Sequence, residues 1–311
     1  MARSGARPAA AQAQHEEPDG PPPGGVDAAL SARQEGAWFH DCPVDPACRF
    51  CGARAGGLQP SPWSFLDAAY CISLQERDDR TRVAVAEMHR TGLCGKVRFY
   101  RPRRHGSSPW IGIWRSHRDV AREALARGET RVLVLEDDVR FSRLAGPRRI
   151  RAAARALGRL PQDWWIFYLG HWPLRARLLG RDVVSTTSAC THAYVAGAPL
   201  LGWLAASDPA KVMLDHRWRG VVGKGLDAAF ARLPGSYALF PMLAVQNCSP
   251  SDHIRAGNRG RIRNLRHLVT RTRAREILMS GMMRPNELLV VAWCSARALL
   301  AAPLRALRSS T

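Results

Sequence analysis

The chain has 311 residues, enough for one good-sized domain with tails or for two small domains. It carries 46 lysines and arginines against 26 aspartates and glutamates, a formal net charge of +20. This excess indicates phosphate-rich partners, such as nucleotides, nucleic acid or anionic lipid, but does not indicate a fold. Eight cysteines without a disulfide-like spacing argue against a disulfide framework and favour a reducing compartment. With no apolar core of a signal peptide at the N-terminus, we expect a cytoplasmic protein.

Residues 1–62 are poor in large apolar side chains and rich in proline, glycine and alanine. Such a segment buries too little surface to offset its chain entropy, so we predict a disordered tail. The end of this tail holds four potential zinc ligands within twelve residues, namely His40, Cys42, Cys48 and Cys51. Their spacing is irregular, and the alternative is a linker with incidental thiols.

From Trp63 the pattern changes to strands that alternate with helices. The first predicted elements are a strand over 68–74, a helix over 81–91 that ends at Gly92, and a strand over 97–100. A basic loop rich in glycine, serine and proline follows over 103–109. We then predict that Ser116 caps an alanine-rich helix that ends at Gly128.

The central stretch of the chain runs from Arg131 to Phe141. Its apolar, β-branched beginning predicts a buried strand, and three carboxylates follow directly, Glu136, Asp137 and Asp138. Unpaired charge is too costly inside a core, so the acids must lie at the carboxyl end of the strand, where α/β sheets bind ligands. Because side chains alternate along a strand, Glu136 and Asp138 are expected to point the same way and to suit Mg²⁺ or Mn²⁺. The alternative is a solvated acidic turn.

Further elements are predicted along the second half of the chain. Strands are expected over 164–169, 182–187, 193–195 and 237–243, and helices over 148–159, 198–206 and 226–233. This alternation is typical of an α/β domain with a mainly parallel central sheet, and we place that domain at residues 63–253.

Residues 254–311 form a basic and apolar C-terminal extension. The stretch from Arg255 to Arg275 contains eight arginines, and residues 287–304 are apolar but too short and too charged for a confident membrane span. Residues 255–304 therefore predict either peripheral contact with an anionic membrane or a helix docked on the domain beside a solvated basic face.

Six short blocks, in order, resemble glycosyltransferase family 25, the lipooligosaccharide and procollagen galactosyltransferase group. The strongest match is the acidic block Val132–Val139, and the others are Cys71–Arg80, Ser116-His117, Asp163–Gly170, Thr191–Tyr194 and Tyr237–Gln246. Together they cover about residues 68–253. Three departures stand out: Ser73 replaces the family's asparagine, Glu76 takes the place of its first arginine with Arg77 one position later, and Gly112–Arg115 replaces the usual Gly-Cys.

The resemblance implies a GT-A fold and a divalent-metal-dependent transfer of a hexose, galactose or glucose, from a UDP-sugar to a hydroxyl of a glycan or protein acceptor. It implies that Glu136 and Asp138 bind Mn²⁺ or Mg²⁺ and that Asp137 either supports the ion or contacts the ribose. The donor contacts that it implies are Arg80, Ser116, His117 and Gln246.

For catalysis the resemblance points to Asp227 as the general base, with Asp215 as the rival, and to His192. Each of the basic candidates has a plain alternative. Arg80 would be a surface partner of Asp79 or Glu76, His117 would be a helix N-terminal residue without a ligand, and His192 would be a packed core imidazole.

Two other functions remain open at this point. The charge and the arginine-rich run over 255–275 are compatible with a nucleic-acid binder, although no aromatic residues interleave that run and no known reader motif is present, which disfavours nucleic acid as a partner. The substitutions at Ser73 and Trp114 are compatible with a family member that has lost activity.

Overall fold

The computed structural model describes residues 36–51, 61–143, 145–208, 225–246 and 282–296. The strands in these ranges are β1 (Trp38–Asp41), β2 (Ala68–Ile72), β3 (Val97–Arg101), β4 (Val132–Glu136), β5 (Val139–Phe141), β6 (Ile166–Gly180), β7 (Val183–Ala196), β8 (Ser236–Leu239) and β9 (Ala244–Gln246). The helices are α1 (Asp78–Thr91), α2 (Pro109–Ala126), α3 (Pro147–Leu157), α4 (Ala198–Ala206), α5 (Leu226–Phe230) and α6 (282–296).

The protein is a mixed α/β fold built on a seven-stranded sheet of order β1-β3-β2-β4-β7-β6-β8. The pairs β2–β3, β2–β4 and β6–β8 are parallel, whereas β1–β3, β4–β7, β6–β7 and β7–β8 are antiparallel. The expectation of a mainly parallel sheet is therefore wrong. The reason is the long hairpin of β6 and β7, joined by Arg181 and Asp182 alone, since so short a connection forces antiparallel pairing.

Helices cover both faces of the sheet, because successive strand side chains point to opposite faces. Cys71 and Leu133 lie in the core on the side of α1 and α3. Tyr70 and Val134 lie in the core on the side of α2, α4 and α5. The domain therefore has three layers, and the acidic end of β4 lies at the edge of the central one.

Residues 36–51 belong to this folded body, although the sequence analysis placed them in the tail. β1 pairs antiparallel with β3 at the sheet edge, and Cys42, Cys48 and Cys51 are buried in the core. A four-residue edge strand has too little apolar periodicity to be recognised in the sequence.

Helix α2 starts seven residues before the predicted cap. Ser108 is the N-cap, its hydroxyl accepts from the amide of Ile111, and Pro109 takes the first helical position. Ser116 and His117 consequently lie inside α2 rather than at its N-terminus, which corrects the prediction.

The C-terminal extension contributes α6, whose residues Met283, Glu287 and Val291 are buried at the spacing of one helical face. The arginine-rich run over 255–275 lies outside the described residues. Among the helices that the structure describes, none has the length and apolarity needed to cross a bilayer.

Candidate active site

The acids lie at one rim of the sheet, where the parallel strands β2 and β4 both end. Glu136 is the last residue of β4, and the amide of Asp137 donates to the carbonyl of Ile72, the last residue of β2, at 3.1 Å. A cavity of about 160 Å³ opens at this rim. Its polar lining residues are Arg80, Arg103, Arg104, His105, Ser116, His117, Glu136, Asp137, Asp138 and Gln246. The predicted donor contacts and acidic ligands thus share one cavity.

Asp137 is held between β2 and α1. The hydroxyl of Ser73 donates to its Oδ2 at 2.9 Å, and Nη1 of Arg80 donates to its Oδ1 at 3.0 Å. Burial raises the pKa of Asp137, while Arg80 and Ser73 act in the opposite direction. Arg80 therefore points into the acidic cluster, and the alternative partner Asp79 pairs with Arg77 instead.

Glu136 is held by residues of β7 and α2. The hydroxyl of Thr191 donates to its Oε1 at 2.5 Å, and Nε2 of His117 lies 3.6 Å from the same oxygen. The other ring nitrogen of His117 lies 2.7 Å from the hydroxyl of Tyr194, so the ring is held from both sides. Burial alone would raise the pKa of Glu136, but its interactions with His117 and Thr191 lower it to about 2.

One carboxyl oxygen of Asp138 lacks a hydrogen-bond partner among the described residues. Its Oδ2 lies 3.9 Å from Nη2 of Arg80, but its buried Oδ1 makes no hydrogen bond within the described part of the chain. Burial and the charge of Glu136 raise the pKa of Asp138 to about 8. A buried carboxyl group whose pKa is raised by neighbouring acids would exchange its proton for a cation, and carboxylate oxygens are the ligands that Mn²⁺ and Mg²⁺ prefer. The residues present therefore fit a hard divalent cation.

The hairpin passes the acidic end of β4, because β7 extends beyond the pair of Leu135 with Ala193. Irregular pairing around Gly170 bends β6 at this level, and Cys190 adopts a left-handed conformation with φ of 75°. A Cβ at Gly170 would lie only 2.4 Å from Nε2 of His192 and from the carbonyl oxygen of Ala244. Gly170 thus permits the close approach that sets the position of His192.

His192 is fully buried and interacts electrostatically with Glu136. Neither ring nitrogen makes a hydrogen bond of good geometry with the described residues. Burial lowers its pKa to about 4 even though the charge of Glu136 favours the protonated ring. The imidazole is therefore neutral near pH 7 and can accept or donate one hydrogen bond, but not act as a standing cation.

Asp227 belongs to the same cluster, in the first turn of α5. Burial and the charge of Glu136 raise its pKa to about 6, while the amide of Cys190 and the hydroxyl of Thr191 act against this rise. A carboxylate that titrates near neutral pH is suited to accept a proton. The rival base Asp215 lies outside the described residues.

The remaining predicted site residues have smaller roles in the geometry. The hydroxyl of Ser116 donates to the carbonyl of Gly112 one turn earlier in α2, so its hydrogen bond is made within the helix. Gln246 ends β9, which pairs with β5 directly after the acids, and its Oε1 lies 3.9 Å from the sulfur of Cys190. Both residues line the cavity.

Sequence reasoning missed two features of the site. Thr191 was quoted in a block but given no role, and the wall of Arg103, Arg104 and His105 was described only as a basic loop. A signal for the wall was present, since this loop follows β3, which is parallel to β2 and therefore ends at the same rim. No comparable pattern marks Thr191, because its contact depends on the hairpin register.

A comparison with protein-family models finds no match for this chain, and a comparison with curated proteins finds no significant match either. The family suggested by the six blocks therefore stays a prediction.

Proposed function

We propose that this protein is a divalent-metal-dependent glycosyltransferase of the GT-A type, similar to family 25, which moves a hexose from a UDP-sugar to a hydroxyl of a glycan or protein acceptor. The observation that carries the proposal is a cavity lined by both acidic and basic side chains. Three consecutive acids line it together with Arg103, Arg104 and His105. A sugar nucleotide with its metal ion combines these charges, since its diphosphate is anionic and its counter-ion is cationic.

Glu136 and Asp138 would hold Mn²⁺ or Mg²⁺, with Asp137 fixed behind them by Ser73 and Arg80. When bound, the ion would neutralise the charge that develops on the diphosphate leaving group. The Oδ1 of Asp138 supports this assignment, because a buried polar oxygen without a hydrogen-bond partner is costly and a bound cation would satisfy it.

Side chains of the protein would bind the diphosphate, accept the proton of the acceptor and orient Glu136. Arg103, Arg104 and His105 would hold phosphate oxygens, for which guanidinium groups are well shaped. Asp227 would accept the proton of the acceptor hydroxyl as that oxygen attacks the anomeric carbon and the nucleoside diphosphate UDP leaves. His117 and Thr191 would keep Glu136 ionised and oriented.

The test is calorimetric titration of the full chain with UDP, with and without Mn²⁺. We expect binding that needs the ion and disappears with EDTA. Asp138→Asn should abolish the Mn²⁺-dependent binding of UDP, whereas Asp79→Asn, which changes an exposed acid paired with Arg77 at the start of α1, should bind as the native chain does. Equal affinity with and without Mn²⁺, or no binding at all, would contradict the proposal.

A second assay separates an active enzyme from an inactive relative. Hydrolysis of UDP-galactose and UDP-glucose should be measured for the native chain and for Asp138→Ala. Turnover that is lost in the variant supports transfer chemistry, while equal turnover, or none in both, leaves only a sugar-nucleotide binder.

A further inference from the structure

A second cluster of metal-binding side chain types lies at the far end of α1, away from the acidic cavity. It consists of Cys48, Cys51, His89 and Cys94, whose ligand atoms all lie within 4.8 Å of one another. The sulfur of Cys51 is 3.3 Å from Nδ1 of His89 and 3.5 Å from the sulfur of Cys94. The sulfurs of Cys48 and Cys94 are 3.8 Å apart.

These separations match the edges of a tetrahedron around zinc. With Zn–S bonds of ~2.3 Å and Zn–N bonds of ~2.0 Å, two sulfur ligands lie ~3.8 Å apart and a sulfur and a nitrogen lie ~3.5 Å apart. The three thiols are free rather than disulfide-bonded. Three soft sulfur ligands with one imidazole in this geometry select zinc over magnesium, calcium or manganese, which prefer oxygen.

Local structure brings the four ligands together from two separate segments. Cys48 and Cys51 have the C-x2-C spacing of a zinc knuckle and lie on either side of a helical turn. His89 is in the last turn of α1, and the left-handed Gly92, with φ of 75°, reverses the chain so that the amide of Cys94 donates to the carbonyl of Met88.

Phe50 closes the contact between the two segments. Its ring lies against Gly92, where a Cβ would approach it to within 2.9 Å, so no larger residue fits there. The sulfur of Cys48 also lies 3.8 Å from the carbonyl oxygen of His89. Residues 48–51 thus already pack against the C-terminal end of α1, and a metal ion could bind with little movement of its ligands.

This ligand set differs from the one that sequence spacing suggested. His40 hydrogen-bonds the carbonyl of Asp41 and stacks on Phe99, so it does not take part. Cys42 is 4.0 Å from Nε2 of His89, the ring nitrogen that does not face Cys51. The sequence found half of the ligands and missed His89 and Cys94, which are distant along the chain.

We propose that Cys48, Cys51, His89 and Cys94 bind one structural zinc ion, which fastens residues 42–51 to the C-terminal end of α1. All three cysteines are buried and four protein ligands complete the tetrahedron, so the site is closed and not catalytic. Binding would release the thiol protons to solvent. The opposite end of α1 carries Arg80, so the ion would also steady the helix that supports the acidic cavity.

The first test needs no variant. The full chain, purified under reducing conditions without chelator, should contain one zinc ion per molecule by elemental analysis and by native mass spectrometry. After exchange of zinc for Co²⁺, the protein should show the intense visible absorption of a tetrahedral cobalt site with sulfur ligands. A reduced protein that holds no zinc and gives no such spectrum would overturn the proposal, as would a metal-free protein with Cys51 and Cys94 joined in a disulfide.

Variants then define the ligands. Cys48→Ser, Cys94→Ser and His89→Ala should lose most of the zinc, whereas Cys294→Ser, on α6, should keep it. Cys42→Ser should also keep it, and loss of zinc there would overturn the ligand set. The experiment reads zinc and not UDP binding, so its outcome is independent of the proposed transferase activity.

Discussion

At the scale of single residues, the candidate site combines three carboxyl groups in different environments: Glu136 and Asp138 line the cavity, and Asp227 interacts with Glu136. Contacts with His117 and Thr191 lower the pKa of Glu136 to about 2, whereas burial and the charge of Glu136 raise the pKa of Asp138 to about 8. Asp227, on another element, lies between them at about 6. Burial raises the pKa of all three, so the differences come from the donors that each one reaches and from the charge of Glu136, which raises the pKa of the other two.

The pKa of Asp227 predicts how the activity declines at low pH. Because Asp227 must be ionised to accept a proton, kcat/KM for sugar transfer should fall about tenfold per pH unit below the pKa of about 6. Glu136, Tyr168 and Cys190 are the titratable groups that interact with it, and the negative charge of Glu136 keeps this pKa high.

A pair of variants checks this assignment. Asp227→Asn should lower kcat by ~10²–10⁴-fold. Asp182→Asn, which changes an acid paired with Arg149 at the hairpin turn, should keep both the rate and the pH profile. If kcat/KM of Asp227→Asn still fell in the same way at low pH, the fall would belong to another titratable group.

Gly170 predicts a stability effect at one position. A Cβ there meets the ring of His192 and the carbonyl of Ala244, so Gly170→Ala should lower the free energy of unfolding by ~1–3 kcal/mol. Gly202→Ala is the matched control, because it adds a methyl group to an exposed position of α4 with open space around it. The control should be neutral or stabilise by ~0.5–1 kcal/mol in urea unfolding, and equal effects of the two would contradict the crowding at Gly170.

At the scale of elements, α6 is attached to the domain through one buried acid. Glu287 accepts from the amide of Met242 at 2.9 Å, and one of its oxygens lies 3.3 Å from Nε2 of His171. Both side chains are fully buried, at the place where the chain crosses between β8 and β9. The sequence pattern had left docking of this helix and membrane contact equally open, and the structure shows that α6 packs on the domain.

Removal of this acid should loosen α6. Glu287→Ala leaves the amide of Met242 and the ring of His171 without their partner, so we expect a loss of ~3 kcal/mol in the free energy of unfolding. Leu289→Ala, on the exposed face of the same helix, should change it by less than ~0.5 kcal/mol. Protection of the α6 amides from hydrogen exchange should fall in the first variant only, and equal protection in both would show that other contacts hold the helix.

At the scale of the whole molecule, docking of α6 leaves part of its surface apolar. Leu288, Leu289 and Trp293 are 54%, 70% and 65% exposed, on a chain with a formal net charge of +20. Exposed leucine and tryptophan on a helix of a strongly basic protein are typical of contact with an anionic membrane. Peripheral membrane contact through residues 255–304 therefore stays a prediction.

Vesicle binding tests this prediction. The chain should sediment with vesicles that contain phosphatidylserine, less so at high salt, and not with purely zwitterionic vesicles. Changing Leu289 and Trp293 to glutamate should weaken binding, whereas Leu179→Glu, at an exposed position of the hairpin, should not. Equal sedimentation of all three proteins would assign the attraction to charge alone.

Local patterns were sufficient for the features that depend on neighbours in the chain. The alternation of strands and helices, the end of α1 at Gly92 and the emergence of three acids at the end of β4 follow from apolar periodicity, a left-handed stop and the cost of buried charge. These features place the candidate site at the rim of the sheet. They also select Asp137 and Arg80 as residues of interest without showing that the two touch.

What only the tertiary structure decided depends on contacts between distant parts of the chain. The hairpin register places Thr191 against Glu136, and the seating of residues 42–51 on α1 replaces His40 with His89 and Cys94. The start of α2 was mispredicted because Ser108-Pro109 and Ser116 are both acceptable caps locally, and only packing selects one. Spacing along a chain specifies the period of an element, whereas distances across the fold are set by packing and pairing that a linear pattern does not encode.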